Sequence, residues 1–255
     1  MDVIEFLGGK HEGEGRWAFA FGEHINGAFG GVFGGAIAAA CLTAARSVAP
    51  GRVPAGIDCR FLRALSSSAT VTASVVHKGR TLTAVDARVV DERDRTTTSA
   101  GITLVNAEAL HPLTRESAGF ELPIGDGGGA EWRAPPSAMA PIIDALAPRM
   151  AKTADGGIAC TIRVPWEEDE VSPEAMGMAG DVCVGPPVGG ALETWVPHPN
   201  PDLSLRFGAP THGDPLVGVG RLRGIQAGLA LVGVEVFAGG ALAAIGVSYS
   251  LLLQQ

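Results

Sequence analysis

Apolar and polar positions alternate along Gly15-Arg16-Trp17-Ala18-Phe19-Ala20-Phe21, the period of a strand packed on one face. A glycine-rich turn, His24-Ile25-Asn26-Gly27, follows it. The next run is almost free of charge and predicts a helix from about Gly30 to Val48, stopped by Ala49-Pro50-Gly51. Four strands are expected behind that helix: Ile57 to Leu65, Ala69 to His77, Thr81 to Asp91 and Thr97 to Val105. The charged sequence Asp91-Glu92-Arg93-Asp94 makes the hairpin turn between the last two. From His111 to Gly157 the pattern fades into six prolines and Gly127-Gly128-Gly129, broken by one short apolar element at Ile142 to Leu146. This stretch reads as a connector crossing the surface.

The first pattern then returns. Ile158 to Trp166 reads as a strand, and Ser172-Pro173-Glu174 opens a helix with a serine cap and proline at its first position. The helix is interrupted at Pro186-Pro187, which lack amide hydrogens. Four strands are expected at Asp202 to Phe207, Leu216 to Leu222, Gly228 to Phe237 and Ala241 to Leu252, with Gly239-Gly240 as a hairpin turn. The halves align. Phe33-Gly34-Gly35-Ala36 lies opposite Met178-Ala179-Gly180-Asp181, Asp58-Cys59-Arg60-Phe61 opposite Asp202-Leu203-Ser204-Leu205, and Gly101-Ile102 opposite Gly246-Val247, at a spacing of about 145 residues. A helix so poor in charge must be covered on all sides, as an antiparallel sheet wrapped around it would do. The expected organisation is an α+β chain with repeats at 1–110 and 158–255 and a connector at 111–157.

Composition narrows the function. With 46% hydrophobic and 18% charged residues the chain can bury a large core. A net charge of −8 argues against nucleic acid as a partner, because phosphate backbones need a dense basic surface. Cys41, Cys59, Cys160 and Cys183 form no Cys-x-x-Cys pair, and His198 and His212 sit in loops without ligand-like spacing, so no metal is expected. The 21 uncharged residues from Ile25 to Ala45 are long enough to cross a bilayer, but five are glycine and seven alanine, the composition of a close-packed core helix. The start of the sequence lacks the basic and apolar run of a signal peptide, so the expected location is the cytoplasm. No Gly-x-Ser-x-Gly occurs, which counts against an α/β-hydrolase.

One residue stands out chemically. Between Ala175 and Leu192 the only charged side chain is Asp181, and its counterpart in the first repeat is Ala36, so the fold does not require the acid. A carboxylate desolvated on an apolar helix suits a general base; the alternative is a cap on the turn broken by Pro186. The amides of Gly34 and Gly35, opening the first helix, suit an oxyanion, or serve only close packing of helix on sheet. His24 and Asn26 precede that helix and either line the same cleft or are polar turn residues.

Phe33-Gly34-Gly35-Ala36-Ile37, Cys59-Arg60-Phe61-Leu62-Arg63, His77-Lys78-Gly79-Arg80-Thr81 and Leu242-Ala243-Ala244-Ile245-Gly246-Val247-Ser248, in this order and spacing, resemble the double hot-dog, thioesterase II-like acyl-CoA thioesterases. The likeness covers both repeats and leaves the connector unmatched. It implies an α+β double hot-dog fold, acyl-CoA as substrate, a place in lipid metabolism, and further association into homo-oligomers. Neither a cofactor nor a metal is implied. In that family an aspartate, a threonine and a glutamine of the second repeat hold the attacking water. Asp181 matches the aspartate, Asn200 stands at the threonine position and Ser248 at the glutamine position. Arg60 and Arg80, with Arg63, are candidates for the phosphates of CoA, or are solvated surface residues.

Two other function classes remain open. The altered helper positions also fit a non-catalytic protein that binds acyl-CoA or lipid. Some hot-dog enoyl-CoA hydratases use an aspartate followed by a histidine, but Val182-Cys183-Val184-Gly185-Pro186 after Asp181 contains none.

Overall fold

The computed structural model describes residues 1–113, 119–120, 139–166, 168–194, 196–208 and 213–254; Gly127 to Gly129 and His212 lie outside them. The first repeat runs α1 (Val3–Leu7), β1 (Gly9–Gly13), β2 (Arg16–Ala20), α2 (Gly34–Val48), β3 (Val53–Phe61), β4 (Ser68–Lys78), β5 (Leu82–Asp91) and β6 (Thr96–Val105). After it come α3 (Ile142–Leu146), β7 (Arg149–Lys152), β8 (Ile158–Ile162), α4 (Pro173–Val182), α5 (Gly185–Gly189), β9 (Asp202–Phe207), β10 (Leu216–Gln226), β11 (Leu229–Ala238) and β12 (Ala241–Leu251).

Among the described residues the twelve strands form one antiparallel sheet in the order β1-β2-β4-β5-β6-β3-β9-β12-β11-β10-β8-β7. Read from its two ends, this is one strand order used twice and joined edge to edge by β3 and β9. At that seam Cys59 faces Leu203, flanked by Asp58 opposite Ser204 and Arg60 opposite Asp202, so repeat-related residues surround a local two-fold axis. Each half of the sheet covers its own helix: α2 packs on β2 to β6 and α4 on β8 to β12. The helices also pack on each other, and α2 is buried from Gly35 to Ala45. This is the α+β double hot-dog arrangement. No described helix is long and apolar enough to cross a membrane.

Local sequence explains most boundaries. Alanine-rich α2 combines high helix propensity with small side chains, which allow close approach. It begins at Gly34 rather than near Gly30, because Gly30 takes a left-handed φ of 76° and Asn26 bridges to Val32. Ser172 caps α4 by accepting the Ala175 amide at 3.1 Å. The helix ends at Val182, before the prolines, and Pro186 and Pro187 fall in the first turn of α5, where amide hydrogens are not needed. β3 lies four residues earlier than its apolar pattern predicts. Pro54 is tolerated there because β9 pairs only with Gly56 to Arg60, leaving that side of Pro54 without a ladder partner. Leu62 to Leu65 leave the sheet, with both the Leu62 and Arg63 amides donating to the Thr97 carbonyl. Three named elements lie outside the pattern read from the sequence: the short helix α1, the edge strand β1, and β7, which falls inside 111–157 and pairs with β8.

Candidate active site

Phe33 occupies the N-cap of α2 and has no side-chain acceptor to offer the first helical amides. The last turn of α4 supplies one. Asp181 Oδ2 accepts the Gly35 amide at 2.8 Å, and Asp181 Oδ1 accepts Asn200 Nδ2 at 2.7 Å. Gly34, the first residue of α2, makes no hydrogen bond through its amide among the described residues, so this donor at the positive end of a 15-residue helix stays open. Glycine lets the carboxylate come this close. A Cβ on Gly34 would stand 2.9 Å and 3.1 Å from the two Asp181 carboxylate oxygens and 3.0 Å from Phe61 Cζ.

Asp181 is buried, and burial raises its pKa to about 6; the bonds from Asn200 and the Gly35 amide act in the opposite direction. A carboxylate tuned this way is mostly ionised at neutral pH yet remains a useful proton acceptor. It borders a cavity of about 810 Å³ shared by both repeats. The walls are mainly apolar, with Phe33, Ile37, Phe61 and Val182 near the carboxylate, and exposed Phe29 and Leu62 among the outer lining residues.

The structure brings together Asp181, Asn200, Gly34 and Gly35. Ser248 lies deeper, on the inward face of β12 but outside the cavity lining: its Oγ donates to the Asp202 carbonyl at 2.7 Å, the same oxygen that receives Asn200 Nδ2 at 3.3 Å. Ser248 therefore reaches Asn200 through a shared acceptor. His24 packs edge-on against Phe6, and the Asn26 carbonyl accepts the Ile142 amide; neither residue lines the cavity. Arg60 is exposed across the seam from Asp202, while Arg63 does line the cavity. Arg80 sits in the β4–β5 turn, where its carbonyl accepts from Arg52, just before Val53 and so at the far end of β3 from Phe61.

Several lining residues carry no motif that sequence could have flagged. Met139, Ile142, Ile143 and Met150 come from the connector. His198 donates from Nδ1 to the Val196 carbonyl at 2.7 Å and meets Phe29 edge-on. Ser250 lies two residues beyond Ser248 on the same strand face and borders the cavity. Among the described residues no three His, Cys, Asp or Glu side chains gather as a metal site would need.

Residues 25–105 match the family model described as the acyl-CoA thioesterase N-terminal domain. No curated protein sequence matches the chain. Among solved structures, the chain is similar to a tesB protein of Mycobacterium avium subspecies paratuberculosis, with TM-score 0.79, 17% identity, and coverage of 99% of this chain and 98% of that one. A hot-dog protein of unknown function from Alicyclobacillus acidocaldarius gives TM-score 0.80 at 19% identity over 99% and 98%. The acyl-CoA thioesterase II TesB2 of Mycobacterium marinum gives TM-score 0.74 at 17% identity over 100% and 99%. At such identities these likenesses speak for the fold.

Proposed function

We propose that Asp181 is the general base of an acyl-CoA thioesterase, a double hot-dog chain whose residues 25–105 belong to the acyl-CoA thioesterase N-terminal domain family. Family membership gives the enzyme class; the residues and steps are our reading. The observation that carries it is the buried carboxylate of one repeat facing the open helix N-terminus of the other, on one apolar cavity.

In this reading the acyl chain lies against the apolar wall and the thioester carbonyl points at the Gly34 amide. Asp181 takes a proton from a water, whose oxygen attacks the carbonyl carbon. The negative charge that develops on the carbonyl oxygen is met by the Gly34 amide and the end of the α2 dipole. Collapse breaks the C–S bond, and protonated Asp181 returns its proton to the departing thiolate. The products are CoA thiol and a carboxylic acid. Asn200 holds the Asp181 carboxylate in place, and Ser248 anchors Asn200 through the Asp202 carbonyl.

The test is release of free thiol from acyl-CoAs of short to long chain, comparing the wild type with Asp181→Asn. Turnover abolished in a folded variant supports the assignment. Unchanged turnover removes Asp181 from the mechanism. Acyl-CoA binding without turnover by the wild type would instead make this a binding protein.

A further inference from the structure

In Val196-Pro197-His198-Pro199-Asn200-Pro201 every second residue is proline, which fixes its own φ and restricts the residue before it. The segment is also tied to its neighbours. The Pro197 carbonyl accepts the Leu253 amide at 3.0 Å, that of Pro199 the Leu251 amide at 2.9 Å, and that of Pro201 the Phe61 amide at 2.7 Å. His198 therefore stands on backbone with little freedom, two residues before the Asn200 that bonds Asp181. Its ring is oriented as well. A carbonyl can only accept, so the 2.7 Å contact with the Val196 carbonyl puts a proton on Nδ1 and, in the neutral ring, leaves Nε2 with a lone pair.

That lone pair is offered to the cavity. His198 Nε2 lies 3.8 Å and 3.6 Å from the points where Gly185 and Gly189 would carry a Cβ, and His198 and both glycines line the cavity. Glycine at both places leaves this space unfilled. Nε2 makes no hydrogen bond among the described residues, yet, unlike the hydroxyls of Thr83, Thr98, Thr161 and Ser250, it is not sealed from solvent. The lining residues Ile37, Ile142 and Met150 are buried, whereas His198 is half-buried and its ring partner Phe29 is exposed. His198 and Phe29 thus mark the solvent side of the cavity.

We propose that His198 Nε2 accepts a hydrogen bond from the pantetheine arm of CoA, from the amide N–H that an ethylene spacer separates from the thioester sulfur. The proposal rests on the thioesterase reading above. An acyl-CoA in this cavity has an apolar half for the buried wall and a polar half that must pass the solvent side, where His198 stands. The spacer sets a short reach. Asp181 and Gly185 are four residues apart, with Cys183 and Val184 between them in right-handed helical geometry, so they stand about one helical turn, roughly 5–6 Å, from each other. An extended arm covers a similar distance from the thioester carbon to this amide nitrogen. The bond is present before and during the reaction, so its loss raises KM and spares kcat.

The experiment measures thiol release by the wild type, His198→Phe and His198→Gln. The Phe variant keeps a ring against Phe29 and removes the acceptor, and the Gln variant supplies an acceptor oxygen. On acyl-CoA the expected result is a KM higher by about tenfold in His198→Phe, with kcat within about twofold and recovery toward the wild type in His198→Gln. The second comparison sets an N-acetylcysteamine thioester, which retains this amide and no more of CoA, against an alkyl thioester of equal length that lacks it. The wild type should prefer the first by about tenfold in kcat/KM, and His198→Phe should not distinguish them. If the Phe variant does not fold, the preference of the wild type carries the test. Wild-type KM in folded His198→Phe, equal losses on both thioesters, or no preference in the wild type overturns the proposal and leaves the thioesterase reading intact. A loss confined to acyl chains bearing a hydroxyl group moves the partner to the acyl half and overturns it too. A wild type without turnover on any acyl-CoA removes both.

Discussion

The Asp181 carboxylate caps the helix of the other repeat, its Oδ2 accepting the Gly35 amide at 2.8 Å across 146 residues of chain. A helix usually draws this cap from its own N-cap side chain, and α2 has only Phe33 there. One carboxylate therefore closes the interface between repeats and faces the cavity. The variants below separate the structural role from the chemical one.

Asp181→Asn should keep the cap and lose the base. An amide oxygen still accepts the Gly35 amide, and rotation of the Asn200 amide restores the second bond. Loss of a general base predicts kcat lower by about 10²- to 10⁴-fold with the fold intact. In the wild type the base must be ionised, and its pKa is about 6. Activity should thus fall with decreasing pH below about 6 and level off above it. A rate profile flat from about pH 5 to 7 would exclude Asp181 as the base.

The same carboxylate predicts an unusual dependence of stability on pH. Its pKa is raised from 3.8 to about 6 on folding, because burial penalises the charge. An acid raised in this way favours the folded state below pH 3.8, and the contribution is lost as pH climbs through about 6. At about 1.4 kcal/mol per pH unit the loss is of order 3 kcal/mol at neutral pH. Asp181→Asn has no such loss. Its Tm relative to the wild type should rise between about pH 4 and 7 and stay constant above, with the other titrating groups common to both proteins. A Tm difference that does not change with pH would contradict the raised pKa.

Much of this site could be read in the sequence, for identifiable reasons. Asp181 is the only charge between Ala175 and Leu192, and the internal repeat sets it against Ala36. Gly34 and Gly35 announced a close approach, though the partner turned out to be the Asp181 carboxylate and the α4 backbone rather than a strand alone. The substitution of Ser248 for a longer polar residue hid the depth of its hydroxyl, which stops at the Asp202 carbonyl. Arg80 carries a charge suited to phosphate, but only the folded structure shows that it stands beside Arg52, at the opposite end of β3 from Phe61 and the cavity. Met139 to Met150 look like connector residues in sequence, since tertiary folding alone lays them over the cavity.

Asn200→Ala should shift the pH profile of the enzyme. Asn200 Nδ2 donates to Asp181 Oδ1 at 2.7 Å and pulls the carboxylate pKa down against burial. Removing a hydrogen bond to a charged group, worth about 1.5–3 kcal/mol, should move the acidic limb up by about one to two pH units. Activity near pH 7 drops and partly recovers on the alkaline side. If the limb stays in place while kcat falls, Asn200 acts on the substrate and not through Asp181.

Gly34 and Gly35 are adjacent, but alanine at each should report a different property. At Gly34 the new Cβ meets the Asp181 carboxylate at 2.9 Å, the end of a side chain that can swing away. Swinging breaks the bond to the Gly35 amide and misaligns the base, while alanine itself suits a helix. The expected outcome is a kcat lower by about tenfold or more with a small change in Tm. At Gly35 the Cβ meets Met178 Cα at 2.9 Å and the Gly177 carbonyl at 3.1 Å, both backbone of α4. Backbone yields only if the helices move apart, and overpacking of this kind costs about 1–3 kcal/mol. Gly35→Ala should thus lower Tm by several degrees. Measuring kcat and Tm for both variants gives a crossed pattern if Asp181 must be held at the end of α2 to act. Wild-type kcat in Gly34→Ala would show that its position there is only a cap.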